Sequence, residues 1–510
     1  MTPPRTRQVL GFIARSLVVL LILVTVTELI CRYRERRVNT GLPEQAEHWT
    51  LPPKGTSELR VFVFGGSTVY GGPVPKLGFV AQLQYWLRRI YPDRDIRIYN
   101  FGVPGRDTSY VLKQMTRRLD DHPDLIIVIT GHNEFLSRAD AQPGGRLARI
   151  RGMLFRHFAT LRLLHRHVQR IAWFGEGYVM PCQVETWDRK SDVFDRRVTG
   201  FEDEMKLIIQ RASQRGVKLI VGTLPSNVSD WTPVYKRLPG RDQRYLDTVA
   251  RIQNLTREGN YREASDALTA GFTRYPDDAM LYFLGGQLQS AMGNNTGARE
   301  SFVKARDLDP LPYRASSQIN SIIRRVASGV PGVYLVDLEK FYEEHARNGL
   351  VGFDLIADNA HGTPLGESLS AQAIFQTMTE IGFLPSPGKG QDECCPVATF
   401  LASLGYLQPG SSLHLRYLLE NANYTMKTPF LNYDASRMYL LEAIQVDDNS
   451  WKAWANLATL SYLTGDTATG AKQLQRATQL HHGTLDVNDR LATPNLKEAL
   501  AYAAGRRACR

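Results

Sequence analysis

Residues 59–72 read LRVFVFGGSTVYGG. The first six are almost continuously apolar, rich in Val and Phe, which suits a strand buried on both faces rather than one with a solvated side. Gly65 and Gly66 then permit a tight backbone turn, and Ser67 follows at once, where a hydroxyl would be lifted to the edge of a sheet. The same serine could equally serve as a helix N-cap.

Working outward, similar short apolar runs recur at residues 95–99, 124–130, 217–223 and 332–338. Helical periodicity separates them, at residues 79–90, 110–119, 201–215, 316–327 and 365–381. This alternation predicts a doubly wound α/β domain with a parallel sheet. In such sheets, ligands meet the loops at the carboxyl ends of the strands. Those loops read FGGSTVYGG after the first strand, NFGVPGRDTS after the second and TGHNEF after the third, with ADNAHGTPLGE at some distance after the last.

Several polar residues in these loops have matching chemistry. Gly105 could offer an open backbone N–H and Asn133 a side-chain NH2, the donors an oxyanion needs during acyl transfer. Gly105 could also be a plain turn glycine, and Asn133 a helix cap. Asp358 and His361 stand three apart just before a helical pattern, so one turn would bring the carboxylate to the imidazole, and His361 would take a proton from Ser67. His132 and Glu134 flank Asn133 and read as structural or substrate-facing.

FGGST, the glycine of NFGVPG, GHN and DNAH, in that order, resemble the four blocks of the SGNH (GDSL-type) hydrolases, over most of residues 59–382. The resemblance implies a flavodoxin-like three-layer fold. It also implies Ser67 as nucleophile, Asp358 and His361 as the rest of a triad, and Ser67, Gly105 and Asn133 as oxyanion hole. The chain departs from the family pattern at Gly66, where the GDS form has Asp, and at Gly362, where many members have Pro after the histidine. Neither departure removes a reacting atom.

Between the fourth and fifth strands, Gly259, Ala264, Leu268 and Pro276 are followed after 34 residues by Gly293, Ala298, Phe302 and Pro310. That is the period of a tetratricopeptide (TPR) helix pair. Near the C-terminus, Trp454, Leu457, Gly465, Leu474 and Ala477 fit the same spacing, and Leu440 with Ala443 lie one period earlier. A simple helical hairpin would leave the same marks there. The expected organisation is an anchor over 1–37, an α/β hydrolase domain over 55–244 and 311–384, inserted TPR-like repeats over 245–310, and a TPR-like helical region over 396–510. A Pro- and Gly-rich linker at 385–390 closes the α/β domain.

The N-terminal stretch LGFIARSLVVLLILVTVTELIC, residues 10–31, has an apolar core at 17–26 followed by Arg32, Arg34, Arg36 and Arg37. With no A-x-A site after it, this reads as a retained transmembrane anchor, with the N-terminus cytoplasmic and the rest of the chain extracytoplasmic. Residues 146–174 mix Arg and His with apolar residues at helical spacing, as a helix packed on the domain or lying on a membrane surface would.

A net charge of +11 suits an anionic partner, but Arg is spread along the chain without a nucleic-acid motif, so no nucleic-acid partner is expected. The cysteines (Cys31, Cys182, Cys394, Cys395 and Cys509) make no CxxC pair, so no metal and no cofactor is expected, and their odd number leaves a disulfide open. The functional expectation is hydrolysis of O-acyl esters through an acyl-enzyme. Transfer of the acyl group to a sugar or lipid hydroxyl, and a non-catalytic TPR scaffold binding a protein partner, are the alternatives.

Overall fold

A computed structural model of the protein describes residues 25–30, 51–136, 186–235, 241–386, 395–427, 430–483, 485 and 495–505. The chain divides into two units, Met1–Trp49 with Arg138–Glu176, and Thr50–Ser137 with Gly177–Arg510. Of the first, only a helical turn at residues 25–30 is described, with Val26, Leu29 and Ile30 exposed. Among the described residues no helix is long and apolar enough to cross a membrane. Most of the expected anchor, all of residues 146–174 and part of the 385–390 linker lie outside them.

The second unit is built on a five-stranded parallel sheet: β1 (Leu59–Gly65), β2 (Ile96–Gly102), β3 (Leu125–Ile129), β4 (Lys218–Gly222) and β5 (Val333–Val336), in the order β2-β1-β3-β4-β5. β1 is an interior strand, with Val63 beside both Asn100 of β2 and Ile127 of β3. It is buried from Arg60 onward, and β3 is buried throughout, which is why neither shows a polar alternation. Phe62 meets Phe64, Tyr99 and Phe101 edge-on at 6.2, 5.6 and 5.0 Å. Arg60 is the buried cation in this layer, satisfied by the Glu58 carboxylate at 2.6 Å and by the carbonyls of Asp121 and Pro52.

Around the sheet run α1 (Ser67–Tyr70), α2 (Phe79–Ile90), α3 (Thr108–Arg118) and α4 (Asp192–Gln214). α4 begins nine residues before the expected 201, because the Ser191 hydroxyl caps it by accepting from the Phe194 amide and its first turn carries Asp192 and Asp195. Phe194 and Val198 extend the buried face of the helix toward its N-terminus, ahead of Phe201. After β4 come α5 (Gln243–Arg257), α6 (Tyr261–Arg274), α7 (Ala279–Ala291) and α8 (Asn295–Leu308), then α9 (Ser317–Ala327), β5, α10 (Leu338–His345) and α11 (Pro364–Glu380).

The 34-residue spacing corresponds to two helix pairs, α5 with α6 and α7 with α8. Gly259 and Gly293 take left-handed φ values of 80° and 78° where the first helix of each pair ends. Gly286 is where Phe302 needs room, since a Cβ there would come within 2.6 Å of its ring. A second helical region follows: α12 (Val397–Ser403), α13 (Ser412–Met426), α14 (Tyr433–Val446), α15 (Trp451–Leu463), α16 (Thr467–Leu480) and α17 (Leu496–Ala503). Leu440, Ala443, Leu457 and Ala477 are all buried in it, and Gly465 turns the chain between α15 and α16 with φ 87°. Cys395 is disulfide-bonded, and the four other cysteines lie outside the described residues.

Candidate functional site

In a sheet ordered 2-1-3-4-5, connections leave β1 and β3 toward opposite faces, so the carboxyl ends of these two strands open a crevice between them. Ser67 leaves β1 at that crevice. Gly65 must be glycine for the turn to fit, because a Cβ there would stand 2.1 Å from the Ile129 carbonyl oxygen of β3. The Ser67 N–H opens α1, where no intrahelical carbonyl can reach it.

His361 arrives from the far end of the domain. Its loop is fixed at both sides: the Ala357 N–H donates to the His361 carbonyl at 2.7 Å, and the Thr363 hydroxyl caps α11 by accepting from Gly366 at 3.1 Å, with Pro364 in the first turn. The imidazole Nε2 then lies 2.7 Å from Ser67 Oγ, and Nδ1 lies 2.6 Å from Asp358 Oδ2. The second Asp358 oxygen accepts from the backbone N–H groups of Ala360 and His361, each at 2.8 Å. Asp358 and His361 are buried, while Ser67 is half-exposed.

The electrostatics follow from that burial and its compensation. Burial favours the neutral acid in Asp358, but the His361 imidazole and the two N–H donors outweigh it and hold the carboxyl below its usual range. Burial disfavours a charged His361, yet the Asp358 carboxylate against Nδ1 raises its pKa above the ordinary value. A carboxylate that accepts from Nδ1 leaves Nε2 unprotonated toward Ser67, the form in which it can take the hydroxyl proton.

The other two expected residues meet the same crevice. Gly105, exposed after β2, has φ 70°, a left-handed conformation that favours glycine. Asn133, half-exposed after β3, donates from Nδ2 to the Arg106 carbonyl at 2.9 Å. A Cβ on Gly66 would fall 2.5 Å from that same nitrogen. Gly66 therefore makes room for the Asn133 amide beside the serine turn, and any side chain there, Asp included, would displace it.

His132 and Glu134 turn away from the crevice into the core. His132 Nδ1 accepts from the Ala315 N–H at 2.9 Å, and burial lowers its pKa to about 3, so the ring is neutral with its proton on Nε2. Glu134 accepts from the Thr108 hydroxyl at 2.7 Å and from its N–H at 3.1 Å, and burial pushes its carboxyl up to about 8. Both tie the third loop to neighbouring elements.

Residues without a sequence signal complete the frame. Glu367 on α11 is buried and accepts from Phe79 N at the start of α2 (2.7 Å) and from Gly362 N (3.2 Å). Gly362 is thus a residue whose N–H is used, which Pro could not supply, and a Cβ on it would come within 2.7 Å of Glu367 Oε1. Asn227 stitches the loop after β4 to the His361 loop by accepting from Asp230 and Trp231 and donating to the Ile356 carbonyl at 3.1 Å. Buried Arg314 donates to the Asn227 carbonyl and pairs with Asp309 at 3.3 Å. A cavity of about 20 Å³, room for one water, lies among Thr68, His132, Glu367 and Ser370. Among the described residues no group of His, Cys, Asp and Glu is placed to hold a metal ion.

No family model matches the sequence, and no curated protein matches it. Solved structures do resemble it. The acetyl xylan esterase AlAXEase is 13% identical, with 62% of this chain and 98% of that one covered at a TM-score of 0.30. The acetyl xylan esterase Axe2 of Geobacillus stearothermophilus is 12% identical, with 66% and 98% covered at a TM-score of 0.30. A member of the lipolytic G-D-S-L family from Veillonella parvula is 12% identical, with 63% and 98% covered at a TM-score of 0.29. Likenesses this distant leave the chemistry of this chain to be read from its own residues.

Proposed function

We propose that the chain is a serine hydrolase of O-acyl esters, with Ser67 as nucleophile, His361 as base and Asp358 as its orienting carboxylate. The observation that carries this reading is the unbroken relay of hydrogen bonds, 2.7 Å from Ser67 Oγ to His361 Nε2 and 2.6 Å from Nδ1 to Asp358, at the carboxyl end of β1. Ser67 Oγ attacks the ester carbonyl while its proton passes to His361 Nε2. The tetrahedral oxygen is received by the Ser67 and Gly105 N–H groups and the Asn133 amide, each donor of this kind being worth about 3–4 kcal/mol. His361 returns the proton to the leaving alcohol, and the acyl-enzyme is then released by water along the same route in reverse. Delivery of the acyl group to a sugar or lipid hydroxyl would use the same intermediate.

Residues 1–37 are read as the membrane anchor, supported by the apolar run at 17–26, with the hydrolase outside the cytoplasm. The disulfide at Cys395 suits an oxidising compartment of that kind. The helix pairs at 34-residue spacing are read as TPR-like repeats offering a surface to a protein partner. Turnover of short-chain p-nitrophenyl esters by the full-length protein, set against Ser67→Ala, tests the proposal. Loss of turnover in the variant supports it, and equal turnover by both rejects it.

A further inference from the structure

The C-terminal helices stand on the two loops that carry the triad. Val74 and Leu77, from the loop after Ser67, share one apolar core with Leu418, Ala422 and Leu440 of α13 and α14, and Ala357, next to Asp358, belongs to the same core. The Tyr439 hydroxyl of α14 donates to the Ala357 carbonyl. From this footing Tyr424 of α13 reaches the site itself: its ring stands edge-to-face with the His361 imidazole, centroids 5.5 Å apart at 85°.

Tyr424 starts a chain of rings. Phe430, just beyond α13, meets it at 4.8 Å, and Phe430 in turn meets Trp231 at 5.6 Å and Tyr313 at 6.3 Å, both edge-on. Trp231 is buried and backs the wall, while Tyr424, Phe430 and Tyr313 are half-exposed. Two elements of the α/β domain and one of the helical region therefore build one aromatic surface beside the catalytic imidazole.

Which part of an ester would meet that surface follows from proton bookkeeping. The carbonyl oxygen must turn to the Gly105 and Asn133 side. The leaving oxygen must face His361 Nε2, because it receives the proton that Ser67 gave up. The alcohol moiety thus departs past the imidazole, the ring that Tyr424 contacts.

Resting on the serine-hydrolase reading, we propose that Tyr424, Phe430, Trp231 and Tyr313 form the alcohol subsite, and that it selects alcohols presenting a flat or ring-shaped apolar face. The C-terminal helices are then a working part of the active site rather than an appended binding module. By microscopic reversibility the same surface receives an entering hydroxyl if the acyl group is transferred.

The test uses the full-length protein and two ester series, one with the acetyl group fixed and the alcohol changed from methyl to phenyl, the other with p-nitrophenol fixed and the acyl chain lengthened. In Tyr424→Ala the phenyl-over-methyl ratio of kcat/KM should fall about tenfold or more, the scale on which an apolar pocket discriminates. The acyl-chain ratios should hold, and Tyr424→Phe, which keeps the ring, should keep the alcohol preference. Phe430→Leu, more conservative at a half-exposed position, should show the same selective loss in smaller degree. Equal losses across both series, or no change in the alcohol ratio, would overturn the subsite. A folded wild-type protein that turns over neither series and is not labelled by a fluorophosphonate would instead overturn the hydrolase reading beneath it.

Discussion

Replacing Asp358 with Asn keeps the shape of the site and inverts one hydrogen bond. In the wild type one carboxylate oxygen accepts from two backbone N–H groups at 2.8 Å and the other from His361 Nδ1 at 2.6 Å. The Asn oxygen must stay with the two backbone donors, since an NH2 there would oppose both. Its NH2 then faces Nδ1, which becomes the acceptor, and the ring proton moves to Nε2. That nitrogen now donates toward Ser67 Oγ and cannot take its proton. Where this tautomer error has been isolated in a serine protease, kcat falls on the order of 10⁴-fold, equivalent to about 5.4 kcal/mol at about 1.36 kcal/mol per tenfold. The assay is kcat on p-nitrophenyl acetate, with circular dichroism to show that the variant folds. A folded Asp358→Asn protein retaining a tenth or more of wild-type kcat would refute the assignment of Asp358 as the orienting group.

Other consequences follow from neighbouring contacts. In the proposed mechanism the neutral imidazole is the base and Asp358 raises its pKa, so kcat/KM should fall as the pH drops through a midpoint above that of an ordinary imidazole, and this limb should move to lower pH in Asp358→Asn, where burial acts without the carboxylate. In Gly66→Ala the new methyl would meet Asn133 Nδ2 at 2.5 Å, so kcat should drop about 10²–10³-fold with an unchanged circular dichroism spectrum. Glu367→Gln sets an NH2 against either the Phe79 or the Gly362 N–H; displacement of the His361 loop should cost about tenfold to a hundredfold in kcat, with a lower Tm in a thermal melt.

The sheet was legible because its strands are short and the inner ones are buried, so apolar runs marked all of them to within two residues at most ends. The core of the candidate site was legible for a related reason. Turns at strand ends have a narrow residue vocabulary, and Ser67, Gly105 and Asn133 each follow a strand directly, while Asp358 and His361 share a short polar loop just before α11. Glu367 was not, because its partners, Phe79 and Gly362, are backbone amides, which carry no residue identity. Nor were Asn227 and Arg314, whose partners in the frame are chiefly backbone carbonyls and amides brought together by tertiary packing. The 34-residue period announced helix pairs without saying what they cover. Nothing in LLENANYTM, residues 418–426, marks Tyr424 as a neighbour of His361, since that contact depends on how α13 rests on the loops after β1 and before α11.

The most direct test of the central claim is intact-mass analysis after exposure to a fluorophosphonate, for the full-length wild type and for Ser67→Ala. The account predicts a single covalent adduct on the wild type, mapped by peptide sequencing to Ser67, and none on the variant. A folded wild type that takes up no label, or a Ser67→Ala protein labelled at the same rate, would contradict it.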